Sequence, residues 1–439
     1  MSMKNLKQYI LPVLLFISGS AFAQQTPAPE QSRPVTIVGA TAHIGNGEVI
    51  ENSLIIFQNG KITTVSDANS SDRQYPGTVI DAKGKHVYPG FIAPNSSLGL
   101  VEIDAVRQSD DEDELGELLP HVRSIIAYNA ESQVVESMRP NGVLVGQIAP
   151  RGGRISGTSS IVQFDAWNWE DAVLKEDDGI HVNWPNSVRR GRWWEGEDRG
   201  IKANADYQEN VRTLSDFFRN AKAYLAGSQE QANLPFQAMK KVFTGDQKVY
   251  VHANGEKEII DILTFKKEHN LNNLVLVGGY DALKVVDELK AANVPVLVGR
   301  VHSTPNLEDN HYDLPYKLAH LLQQEGLLVA LETSGSMERM NSRNLPFYAG
   351  TVTGYGANKE DALKMITLNT AKILGVDDSL GSLEAGKDAT LFISEGDALD
   401  MRTNKVSQAF IRGREISLES HQTELAKRYS DKFEQQEKK

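Results

Sequence analysis

The 439-residue sequence predicts an α/β protein with a barrel-like body of alternating strands and helices behind a small β module. Three observations carry this reading. Apolar runs of strand length alternate with helical patterns through the second half. Short alternating segments separated by turn residues fill 35–87. A second set of short strands recurs between Lys387 and Leu418.

The chain begins with the pattern of an export signal cleaved after Ala23. Lys4 and Lys7 precede an apolar run from Ile10 to Ile17, and Ala21-Phe22-Ala23 supplies the cleavage site. That run is too short and wrongly flanked to span a bilayer, and nothing later could do so. Gln24 follows where a lipid anchor would need Cys. A periplasmic location is expected, with secretion as the alternative. Removing the signal takes the formal charge from −12 to −14, which would repel phosphates and argues against a nucleic-acid partner. The absence of Cys excludes disulfides, thiolate ligands and a Cys nucleophile. Any metal would rest on His, carboxylate or carbonyl donors.

Residues 24–34, rich in Gln and Pro, read as a flexible leader. Residues 35–86 hold strand-like Val35–Val38, Ser53–Phe57, Lys61–Val65 and Thr78–Ile80, with Asn59-Gly60 as a hairpin signal. The barrel-like part, 87–375, has strand runs at Val87–Ile92, Gly142–Ile148, Lys248–Val251, Asn273–Val277, Val294–Val298 and Leu327–Leu331. Helical patterns fall at Glu256–Glu268, Ala282–Ala291, Leu314–Gln324 and Asn358–Leu374. Between Arg151 and Lys248 the rhythm is lost. The acidic run Asp110–Glu114 is expected in a solvated loop. All five Trp lie between Trp167 and Trp194, beside Arg189, Arg190 and Arg192. They would form either a lid that stacks on a substrate or apolar glue for a long excursion. Residues 376–418 return to short strands, and 419–439 read as an exposed, charged helical tail.

Two stretches carry a family resemblance. One is Val87-Tyr-Pro-Gly-Phe-Ile-Ala-Pro-Asn-Ser-Ser97; the other runs Ala362-Leu-Lys-Met-Ile-Thr-Leu-Asn-Thr-Ala-Lys-Ile-Leu-Gly375, then Leu380-Gly-Ser-Leu-Glu-Ala-Gly-Lys-Asp-Ala-Thr-Leu391. They resemble the metal-dependent hydrolases of the amidohydrolase superfamily, within it the exported, imidazolonepropionase-like members. The resemblance implies a (β/α)8 TIM-like barrel over 87–375. It also implies a β-sandwich built from both terminal segments, and an active site at the C-terminal ends of the strands. Two of the eight strands stay unplaced.

The family's ligands are His-x-His on the first strand, His on the fifth, His on the sixth and Asp on the eighth. Their metal, usually zinc, lowers the pKa of bound water to about 7. Matched motif by motif, Asn95 and Ser97 stand in the first slot, His252 keeps the fifth, Gly278 replaces the sixth and Ser334 the eighth. One imidazole does not hold zinc, which takes about three protein ligands even in an open site. Glu332 offers a carboxylate two residues from Ser334 in place of the missing Asp. Alternation along a strand, on a one-residue shift, would point it away from the pore. His302 and His311, with Asp309 and Asp313 nearby, could complete a relocated site with His252; a polar loop that happens to contain His is the plainer reading. Arg151 and Arg154, in the Gly-rich run 150–157, and Arg300 are candidate substrate contacts, with a rim turn as the plainer reading of that run.

Two functions follow. The first is a metal-poor, catalytically impaired family member that binds a small molecule or partners an active paralogue, in a homo- or hetero-oligomer. The second is a working hydrolase of non-peptide C–N bonds with one rebuilt divalent metal, zinc above others. The missing ligands favour the first.

Overall fold

The computed structural model describes residues 26–437 except 71–74, 192, 193, 195, 197, 199, 230 and 307–309. The expected signal, Arg192 and Asp309 lie outside the described residues.

Both chain ends build one eight-stranded sheet. From the front come β1 (Val35–His43), β2 (Val49–Gln58), β3 (Lys61–Asp67), β4 (Thr78–Asp81) and β5 (His86–Pro89). From the back come three more strands, Leu391–Ser394, Val406–Ile411 and Arg414–Ile416. Asn59 and Gly60, both at positive φ, turn the β2–β3 hairpin as the sequence predicts. The sheet curls until Lys61 pairs with Asp388, enclosing Ile37, Ile55, Phe57, Leu391, Ile393 and Phe410. One rolled sheet thus serves as the expected sandwich.

The chain leaves this sheet at Gly90, where a side chain would press on Thr390 and Leu144. The sequence reading began the barrel at Val87; in the structure His86–Pro89 pairs with β1 and Leu391–Ser394. The barrel strands are β6 (Phe91–Ser96), β7 (Val143–Ile148), β8 (Ile155–Gln163), β9 (Val173–Asn183), β12 (Lys248–Ala253), β13 (Leu274–Gly278), β14 (Val296–Val298) and β15 (Val329–Leu331). They hydrogen-bond in that order, with a small hairpin of β10 (Val188–Arg190) and β11 (Ile201–Ala203) outside the barrel. Their near-continuous apolar burial is what strands covered on both faces require.

The two unplaced strands are β8 and β9. β8 runs antiparallel to both neighbours. A tight turn at Pro150–Arg154 joins it to β7, with Gly152 and Gly153 at positive φ. No helix intervenes, so the βαβ rhythm sought in the sequence is missing there. The longest described helix, Tyr207–Ala226, lies in the same stretch and covers the barrel with Leu214, Phe217 and Phe218. The seam between β15 and β6 is filled by Met365 and Ile366, whose carbonyls accept from Leu331 and Ile92. The tail forms the expected exposed helix, His421–Glu437.

Candidate functional site at the barrel mouth

Strand ends set the site. Asn95, the penultimate residue of β6, has φ of 48°, a left-handed conformation that Asn tolerates. It is fully buried, as are Ser96 and Ser97. The Arg151 guanidinium donates to Asn95 Oδ1 at 2.8 Å and to its carbonyl at 2.9 Å. It also donates to Glu338 Oε2 at 2.8 Å. Glu338 Oε1 accepts from the Ser97 N–H at 2.6 Å, and Arg339 donates to the Ser97 hydroxyl at 2.9 Å. Glu338 and Arg339 belong to a short helix, Glu338–Asn341, just past the eighth strand. Both residues of the first slot are therefore spent on protein partners.

Glu332 also turns into the mouth. Its Oε2 accepts from Ser334 N–H at 2.7 Å and from Asn95 Nδ2 at 3.3 Å. The expectation that it points away from the pore fails for a simple reason. Glu332 lies two residues from Ser334, and an even step along an extended chain returns to the same face, so the one-residue shift does not apply. Burial pushes the Glu332 carboxyl up, against the Ser334 hydrogen bonds that pull it down. Burial opposes the charge of Arg151, but Glu338, Glu332 and Glu112 outweigh it and hold the guanidinium above its ordinary value.

On the far side, His252 Nε2 meets His181 Nδ1 at 3.0 Å. Burial and the Arg151 charge push His252 down to about 3, and burial, His252 and Arg151 push His181 well below its usual range. The pair stays neutral. His181, on a strand that the sequence reading could not place, was missed; its His-Val-Asn string carries no signature. Gly278 has φ of 97°, and a Cβ there would lie 2.7 Å from Asn254 Oδ1. That slot offers no side chain, and Asn254 occupies the space beside it. Deeper in the barrel, Asp178 accepts from Ser159, Tyr250 and Gln147, and Gln147 accepts from the Asn95 N–H. This chain of polar groups fixes Asn95 from below.

The remaining candidates scatter. His302 bonds Thr351 at 2.7 Å and His311 bonds Asp313, neither of them a partner of His252. Arg154 donates to the Asn183 carbonyl and Arg300 to that of Thr333, while Arg300 Nε is buried without a partner. Most of the acidic run is solvent-exposed as expected, at Asp111, Asp113 and Glu114, but Glu112 is drawn inward. Glu112 accepts from Arg339 at 2.7 Å, its carbonyl accepts from the Arg151 N–H, and the loop lies over the mouth. Trp193 lies outside the described residues, and the four described tryptophans are scattered. Trp167 and Trp169 sit at the opposite end of the barrel, Trp184 is buried against Tyr207, and Trp194 is exposed on the β10–β11 hairpin.

The divalent metal that the resemblance implies does not fit these donors. Asn95 and Ser97 are occupied, Gly278 offers nothing, and a guanidinium already sits among the slots. Among the described residues no group of three His, Asp or Glu side chains could hold a metal.

A model described as the amidohydrolase family matches residues 230–416. A 5'-deoxyadenosine deaminase from Methanobrevibacter smithii is 23% identical over 390 residues, covering 80% of this chain and 81% of that one. The crystal structure of an amidohydrolase from Thermotoga maritima superposes with a TM-score of 0.75 at 25% identity, covering 87% of this chain and 99% of that one. Molinate hydrolase, at 15% identity and a TM-score of 0.52 over 89% of this chain and 96% of its own, shares the fold.

Proposed function

This chain belongs to the amidohydrolase superfamily, and we propose that it is an exported member that has given up metal-dependent hydrolysis. It acts as a small-molecule binding protein or as the partner subunit of a metal-bearing paralogue. One observation carries the reading: the first metal slot is spent on Arg151, Glu338 and Arg339 rather than left open. Relatives carry deaminase and hydrolase names, so the chemistry given up is hydrolysis at carbon–nitrogen bonds. The export pattern at 1–23 supports a periplasmic setting, where a partner would be met. A rebuilt mononuclear centre finds no support among the described residues, where His252, His302 and His311 each bond a different partner and form no group that could hold a metal.

Metal analysis of the purified chain under zinc-replete conditions tests this, together with hydrolysis assays on amides, cyclic amides and aminopurine nucleosides. Background metal and no turnover are expected. Near-stoichiometric zinc or manganese that disappears in His252→Ala, with matching loss of turnover, overturns it.

A further inference from the structure

We propose that the Arg151 guanidinium is the resident cation of this barrel mouth, standing in the metal's place and doing the metal's mechanical work. The inference rests on the reading above and names what replaced the metal. Two observations place the guanidinium among the slots. It bonds Asn95, the first slot, through both the side-chain oxygen and the carbonyl. It grips Glu338, which follows the eighth strand, and Asn95 passes the connection to Glu332, two residues before Ser334.

Charge balance points the same way. Glu332 and Glu338 are each only 3% exposed, and Asn95 and Arg151 between them bridge the two carboxylates. Two buried carboxylates this close repel each other unless a cation lies with them. A guanidinium suits the role because its planar fork meets several oxygens at once at fixed angles. The mechanical need is visible at the seam, where the first and eighth strands are separated by Met365 and Ile366. Above that seam Arg151, Glu338 and Arg339 tie β6, the β7–β8 turn and the segment after β15 into one clamp. A divalent ion would have to displace a guanidinium held by three acceptors within 2.9 Å. Restoring imidazoles alone therefore does not restore a metal site.

The test is zinc uptake by equilibrium dialysis in an Asn95→His/Ser97→His chain, which with His252 offers three imidazoles. Histidine accepts the left-handed backbone at position 95 better than most residues. With Arg151 intact, uptake should stay at the level of the unaltered chain. Adding Arg151→Gln, which can still donate to Asn95's neighbours, should raise it to about one zinc per chain. Adding Arg151→Lys, which keeps the charge, should not. Equal uptake with Arg and with Gln, whether both bind or neither does, overturns the proposal. Should the Gln chain fail to fold, Glu338→Gln in the two-histidine background gives a second reading. That chain keeps the guanidinium and should stay zinc-free; uptake there overturns the proposal too. Stoichiometric zinc on the unaltered chain would instead sink the functional reading, a separate result.

Discussion

The two sides of the barrel mouth fill the slots where the resemblance expects ligands in different ways. On the side of the first and eighth strands, charged groups fill the space: Arg151, Glu332, Glu338 and Arg339 bond one another or the strand ends. On the side of the fifth and sixth strands the filling is neutral. His252 pairs with His181, and backbone and Asn254 close over Gly278. Where two buried carboxylates lie together, a cation lies between them; where a carboxylate stands alone, as Asp178 does deeper in the barrel, or where none is present, neutral groups suffice.

The largest expected effect is on the charged side. Arg151→Met or Glu338→Ala each leaves a buried partner uncompensated and should cost about 3–5 kcal/mol in urea unfolding. An Arg151→Met/Glu338→Gln double variant should lose less than the sum of the single changes. Additive losses would mean that the clamp is not a unit. On the neutral side, Gly278→Ala should cost about 1–3 kcal/mol, since the backbone is left-handed and the added carbon meets Asn254. A neutral outcome would mean that this side is loosely packed.

The histidine pair predicts a pH dependence. Folding lowers the pKa of His252 and His181, so the unfolded chain binds more protons between about 6.5 and the depressed values. Their contribution is fully present above about pH 6.5 and is lost as pH falls toward 3, by at most about 1.4 kcal/mol per pH unit for each histidine. His252→Gln should flatten that slope in unfolding curves from pH 7 to 5. Glu332 and Asp178, whose values are raised, act with the opposite sign and leave the difference between the two chains intact. The smallest effect is at His311, exposed in its loop, where His311→Ala should stay within about 0.5 kcal/mol. A larger loss would join that loop to the mouth.

Much of this was legible in the sequence. Periodicity placed the strands of the second half, and Asn59-Gly60 placed a hairpin. The family motifs located Asn95, Ser97, His252, Gly278 and Ser334, which line the mouth or its strand ends. The reversed β8 was not legible, because a strand's direction leaves no mark on its apolar pattern; only the Gly-Gly turn hinted at it. Arg151 was read as a substrate contact, yet its partners Asn95 and Glu338 are 56 and 187 residues away. Glu338 was not singled out at all, since an acidic residue in a short polar helix looks like any solvated one. Within the acidic run, exposed as expected at Asp111, Asp113 and Glu114, Glu112 is the exception: composition marks it as solvated, and only the fold brings Arg339 to it.

The most direct test of the central claim is a crystal structure with anomalous data collected at the zinc edge after a zinc soak. The account predicts guanidinium density between Asn95 and Glu338 and no anomalous peak within bonding distance of His252. A peak on His252 with the Arg151 side chain swung out of the mouth would contradict it.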